Sequence, residues 1–257
     1  MNAHAIEGRV ALVTGASTGI GRATALLLAE QGARVMAVAR SAAGLASLSA
    51  EADIAHVALS LLEPDAVSQV IDATHRQLGP ISILVNNAGA GGWGEAPIWD
   101  QPLDTWNATM RLNLEVPFLL TRAASADMRQ LGWGRIVMVS STAGQVGAPQ
   151  MSAYCASKHG LIGLARSVAH DVGTFGGTCN AVLPGWVRTP MAEADAVADA
   201  DRLGITVDEV WAQRDAAYPR GRVVEPDEIA RIIAWLASDA ASAVNGEALT
   251  AALGGLW

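Results

Sequence analysis

Tyr154 and Lys158 stand four residues apart in the stretch Ser152–Gly160, which is otherwise mostly small residues. On a helix that spacing puts both side chains on one face, one turn apart. A free phenol has a pKa of about 10, so only on the order of one in a thousand is ionised near neutrality. A neighbouring ammonium favours the phenolate and draws that pKa toward the working range of a general acid or base. Tyr154 could then exchange a proton with an alcohol or carbonyl oxygen while Lys158 supplies the field. The same spacing also arises by chance in exposed helices, so the rest of the chain decides its meaning.

A second chemical stretch is Thr14-Gly-Ala-Ser-Thr-Gly-Ile-Gly21, directly after the apolar run Arg9–Thr14 and before a helical pattern with leucines at 26, 27 and 28. Glycines there permit a tight turn and close backbone approach, and a helix start presents unpaired N–H groups to an anion, so a phosphate-bearing cofactor fits. Such glycines can also do no more than close a loop, and Gly15-x-x-x-Gly19-x-Gly21 is not the usual G-x-G-x-x-G spacing. At the end of the next apolar run, Ala39 stands where a binder of NAD(H) carries an acid, and Arg40 follows. Nothing there repels a 2′-phosphate and a guanidinium is at hand to bind it, which favours NADP(H) and leaves NAD(H) possible. An arginine merely capping a strand end is the alternative.

These residues must be positioned by a scaffold. Apolar runs at Arg9–Thr14, Arg34–Ala39, His56–Leu59, Ile83–Asn86, Arg135–Val139 and Thr178–Leu183 read as strands separated by helix-length segments. Such alternation implies parallel strands with crossover helices, and near-continuous apolar strands suit a sheet covered on both faces. The 257 residues, 51% hydrophobic and 16% charged, show no linker or repeat, so one domain over 1–257 is expected. The acidic, helical stretch Ala192–Arg214 reads as a lid-like insertion at about 190–220.

Composition narrows the partners. A net charge of −8 disfavours nucleic acid and anionic lipid, leaving a small molecule. Apolar stretches fall short of the roughly 20 residues a spanning helix needs, and the first residues carry no export pattern, so a cytoplasmic protein off the membrane is expected. Cys155 and Cys179 form no disulfide framework and read as small buried thiols. The five histidines lack metal-ligand spacing, the acidic run Glu193–Asp201 lacks the features of a calcium loop, and no metal is expected. Trp93, Trp186 and Trp211 are candidates to wall an apolar substrate pocket.

Taken in order, the turn Thr14–Gly21, "NNAG" at Asn86–Gly89, Asn113 in "LNLEVPF", Ser140-Ser141, Tyr154–Lys158 and "PGWVRTPM" at Pro184–Met191 resemble the short-chain dehydrogenase/reductase family from end to end. The resemblance implies a single Rossmann-type, doubly wound parallel sheet of about seven strands flanked by helices. It implies hydride transfer between a nicotinamide cofactor and a carbonyl or alcohol carbon. By the same resemblance the catalytic residues are Asn113, holding a water that links Lys158 to solvent; Ser141, holding the substrate oxygen beside its packing neighbour Ser140; Tyr154, the acid/base; and Lys158, which also binds the nicotinamide ribose. Gly15, Ser17, Thr18 and Ile20 would line the phosphates and ribose, Arg40 the 2′-phosphate, Ser60 and Leu61 the adenine, Asn87 and Gly89 the central cleft, and Val187 and Thr189 the carboxamide. Ser60 replaces the family's acid, so adenine recognition there would rest on backbone groups.

The chain is therefore expected to be an NADP(H)-dependent oxidoreductase reducing a ketone reversibly to a secondary alcohol. The alternatives are an NAD(H)-dependent dehydrogenase of a bulky or cyclic alcohol, a 3-oxoacyl-thioester reductase and, last, a non-catalytic NADP(H)-binding sensor. A homotetramer or homodimer is implied by the resemblance.

Overall fold

The computed structural model describes residues 6–91 and 96–255. In chain order the elements are β1 (Val10–Thr14), α1 (Gly19–Glu30), β2 (Arg34–Ala39), α2 (Ala42–Glu51), β3 (Ile54–Ala58), α3 (Ala66–Gln77) and β4 (Ile83–Asn86). There follow α4 (Leu103–Met110), a π-helical turn (Arg111–Glu115), α5 (Val116–Leu131), β5 (Gly134–Val139), a 3-10 turn (Thr142–Gly144), α6 (Ser152–Gly173) and β6 (Gly177–Pro184). The chain continues with α7 (Pro190–Leu203), α8 (Val207–Ala216), α9 (Pro226–Leu236), a short 3-10 turn (Asp239–Ala241) and β7 (Ala248–Ala251).

All strands pair in parallel, in the order β3-β2-β1-β4-β5-β6-β7. Alternation along each strand sends side chains to both faces. From β1, Ala11 and Val13 pack with Ala25 and Leu28 of α1 and Ile229 and Ile233 of α9, while Leu12 points the other way into Leu120 of α5 and Leu161 of α6. Both faces are therefore dry, as the apolar runs require. The chain reverses direction across the sheet between β1 and β4, and the carboxyl ends of the strands on either side open a crevice where ligands of such sheets bind.

The expected strands are present with shifted ends. β3 starts two residues before His56, and β6 runs on to Pro184. The residue pattern showed no sign of β7, whose "ALTA" is a half-buried edge strand without an apolar run. The acidic stretch folds as two helices, α7 and α8, around a small core of Ala192, Ala196, Val210, Trp211 and Tyr218. Of the two thiols, Cys179 is buried in the sheet but Cys155, on α6, is only partly so, which corrects the expectation that both are buried.

Candidate active site

One cleft of about 620 Å³ runs along the carboxyl ends of the strands. Tyr154 and Lys158 line it from α6, and the ammonium sits 5.6 Å from the Tyr154 ring centre. Lys158 is 4% exposed, and its Nζ donates to the carbonyl of Val139 at the end of β5 at 2.9 Å. Burial lowers its pKa to about 8, since a low-dielectric site penalises the charged form.

Ser141 begins the 3-10 turn, and its Oγ accepts from the Ala143 N–H at 3.1 Å, which leaves its own O–H to donate. Ser140 does more than pack. Its buried Oγ donates to the Lys158 carbonyl at 2.9 Å, pinning α6 to β5 at the lysine itself.

Asn113 sits behind the cleft, 1% exposed, on the π-helical turn. Its Nδ2 donates to the Ala90 carbonyl and to Ser157 Oγ, and its Oδ1 accepts from the Ala90 N–H. Both side-chain donors are thus spent on holding the loop after β4 against α6. Close packing explains the glycines of that loop: a Cβ on Gly89 would lie 3.3 Å from Asn113 Oδ1, and one on Gly91 3.2 Å from the Tyr154 ring.

The glycine turn forms the opposite wall. Gly15 has φ +67, and a Cβ there would stand 2.7 Å from Asn87 Nδ2; a Cβ on Gly21 would come within 2.3 Å of the Gly15 carbonyl. Asn87 Nδ2 donates to the Thr14 carbonyl at 2.8 Å, so this side chain ties the end of β4 to the turn after β1. Ser17, Thr18 and Ile20 line the same wall. Arg40, exposed, and Ser60 and the buried Leu61 line the far end, where Ser60 Oγ accepts the Leu62 N–H. Val187 bridges to Val224, and Thr189 caps α7 through the Ala192 N–H while its methyl group faces Gly19.

Every cofactor-binding residue named from the sequence lines this cleft. Trp186 lines it as expected, stacked under the Arg214 guanidinium at 3.7 Å. Trp211 does not: its indole N–H donates to Glu193 and its ring packs inside the α7–α8 core, so that expectation is corrected. Trp93 lies outside the described residues. His159 is exposed on α6 and off the cleft, with Nδ1 at 2.9 Å from the Cys155 carbonyl.

A family model described as "Enoyl-(Acyl carrier protein) reductase" matches residues 15–255. The chain is 35% identical to the D-beta-hydroxybutyrate dehydrogenase of Cupriavidus necator, over 94% of this chain and 95% of the relative. It is 37% identical to the 3-oxoacyl-(acyl-carrier-protein) reductase of Salmonella typhimurium, over 95% of each. Among solved structures, an actinorhodin polyketide ketoreductase variant with NADPH superposes with a TM-score of 0.91 at 33% identity, over 96% of this chain and 97% of that one. Levodione reductase superposes at 0.90 and 31% identity, over 97% and 98%.

The chain belongs to the short-chain dehydrogenase/reductase family. It is an oxidoreductase acting on C=O and CH–OH groups with a nicotinamide cofactor, and the residues present fit such a dinucleotide. Thr18 precedes α1 without capping it by its side chain, so the first helical N–H groups remain for an anion. The glycine turn beside them is too tight to admit side chains at Gly15 and Gly21.

Tyr218, Met151 and Asp195 are among the cleft residues that escaped the sequence reading. Tyr218 accepts the Trp186 N–H at 2.6 Å, Met151 precedes α6, and Asp195 reaches the cleft from α7. No local spacing marks them, because Tyr218 and Asp195 arrive by packing of the segment after β6.

Proposed function

We propose that this enzyme reduces a ketone reversibly to a secondary alcohol, using NADP(H) in preference to NAD(H). The observation that carries the reading is the meeting of Ser141, Tyr154 and Lys158 on one cleft that continues to the glycine turn and Arg40. Bound nicotinamide supplies or accepts the hydride. The chain's part is the oxygen. Negative charge develops on the carbonyl oxygen during reduction, and Ser141 and Tyr154 line the cleft with O–H groups of the type that donates to such a charge. Tyr154 gives up its proton, and the buried Lys158 ammonium stabilises the charge left on the phenol. A water relay through Asn113 has at most the second lone pair of its Oδ1, besides its main chain, since its side-chain donors are taken.

The NADP(H) preference is supported by Arg40 on the rim beside the buried Ala39, and by the lack of any carboxylate lining that end among the described residues. We read α7 and α8 as a lid over substrate within one catalytic domain, and the exposed Phe118 and Trp235 as faces for self-association into a homodimer or homotetramer. The test is NADPH oxidation against bulky cyclic ketones, a 3-oxoacyl thioester and an enone. Ketones should be consumed, and Tyr154→Phe should lower kcat by about 10²–10⁴-fold. Turnover of the enone alone, or full activity in Tyr154→Phe, would overturn the reading.

A further inference from the structure

Charge along the cleft is unevenly placed. Among the described residues that line it, the cations are Arg40, at the end of β2, and Lys158, bonded to Val139; the one carboxylate is Asp195, on α7. Around Asp195 the wall is largely apolar, with Met191, Ala192, Trp186 and the ring of Tyr218 lining the same cleft.

The Asp195 side chain is half-buried, and its carboxylate accepts no hydrogen bond from the described residues. Arg214 is the cation whose field reaches it, yet the Arg214 guanidinium donates to the Ala192 carbonyl and to Asp199, and its face is stacked on Trp186. Arg188 is likewise taken by Asp215 and Glu225. Burial first, and Asp199 after it, raise the Asp195 pKa against the opposing pull of Arg214. A carboxylate held in partly apolar surroundings, with a cation's field but no donor on it, keeps a net desolvation cost. A ligand that brings a donor relieves that cost; a ligand that brings a second negative charge adds to it.

We propose that Asp195 is a specificity-determining residue that accepts a hydrogen bond from a hydroxyl or N–H group on an otherwise apolar ketone, and that it disfavours ketones bearing a carboxylate. The inference rests on the ketone-reductase reading and deepens it. It sets this enzyme apart from its relative named for hydroxybutyrate, whose substrate is an anion.

The test uses β-tetralone carrying a hydroxyl, aminomethyl, methyl or carboxyl group in turn at each free position of its aromatic ring. Wild-type kcat/KM with NADPH should favour a donor-bearing compound over its methyl analogue by about 10–100-fold at one position or more, the range of a hydrogen bond to a charged group. The difference should lie in KM, as for an interaction equal in ground and transition states. Asp195→Leu should bring that ratio near one. Asp195→Asn, which keeps an acceptor oxygen, should retain part of the hydroxyl preference while losing the aversion to carboxylate. The hydroxyl and aminomethyl arms tell which donor is read. Calorimetric Kd values for the same compounds are read independently of turnover. Turnover without any ranking in wild type, or a ranking preserved in Asp195→Leu, overturns the role of Asp195. A binding ranking that Asp195→Leu abolishes, with no ketone reduced, supports Asp195 and overturns the reductase reading instead.

Discussion

Lys158 carries a charge where charge is costly. Its folded pKa is about 8 against an ordinary value of 10.5, so between those values the unfolded chain binds more protons. Stability should rise with pH across that window, and the burial cost is fully present below pH 8. At about 1.4 kcal/mol per pKa unit the cost is roughly 3 kcal/mol at neutrality, and the bond to Val139 returns about 1. Lys158→Met should therefore melt roughly 4–8 °C higher at pH 7, while ketone reduction falls by about 10²-fold or more; calorimetry and NADPH oxidation read the two. A lower melting point would show that the ammonium is a net support of the fold, against the burial cost argued from its lowered pKa. In the wild type, reduction should decline above about pH 8 as the ammonium is lost. Tyr154, Lys158, Arg40 and the glycine turn were legible in the sequence because their chemistry depends on short spacing. Asp195 and Tyr218 were not, since only packing brings them to the cleft, and the tie from Ser140 to the Lys158 carbonyl is a contact between distant elements.

At the scale of elements, a buried guanidinium ties α7 to α8 alongside their apolar core and the Trp211–Glu193 bond. Arg214 bonds the Ala192 carbonyl and Asp199 and lies 3.7 Å and 5.0 Å from the Trp186 and Trp211 ring centres. Arg214→Ala leaves Asp199 without its buried partner and uncouples Trp186 from α8. Steady-state kinetics should show KM for ketone raised roughly tenfold, about 1.4 kcal/mol of binding, with kcat held. An unchanged KM would mean that the α7–α8 core sets the pocket without Arg214. The helical, acidic character of this segment was legible from its composition. Its Trp211 was misread as a pocket wall because an indole N–H satisfied by Glu193 leaves no trace in local pattern. β7 escaped for a related reason: an edge strand that buries little needs no apolar run.

For the whole molecule, six of the strands could be read from apolar runs: the central ones because a sheet covered on both faces leaves no polar face to interrupt them, and β3 from its short apolar stretch although one of its faces is exposed. The order of the strands places the cleft at the reversal between β1 and β4, so a cofactor bound there engages the native state alone. A nucleotide at 100 times its Kd stabilises by about 2.7 kcal/mol, roughly 5–10 °C in melting temperature. At equal concentration NADPH should raise the melting point more than NADH, and Arg40→Ala should remove the difference; equal shifts in the wild type would sink the NADP(H) preference.

The π-helical turn at Arg111–Glu115 reaches beyond Asn113. A turn of that kind holds one residue more than the α-helix it interrupts, and each residue is worth about 100° of rotation. The side chains of α5 are consequently set about 100° round from where an unbroken continuation of α4 would place them, although the two helices run on from one another. Leu103 at the start of α4 is 76% exposed while Leu120 and Ala124 of α5 are sealed against the sheet. That offset lets α4 begin with an exposed leucine while α5 keeps its stripe against the sheet, so deleting one residue of the turn should rotate the two stripes out of register and lower the melting temperature read by calorimetry.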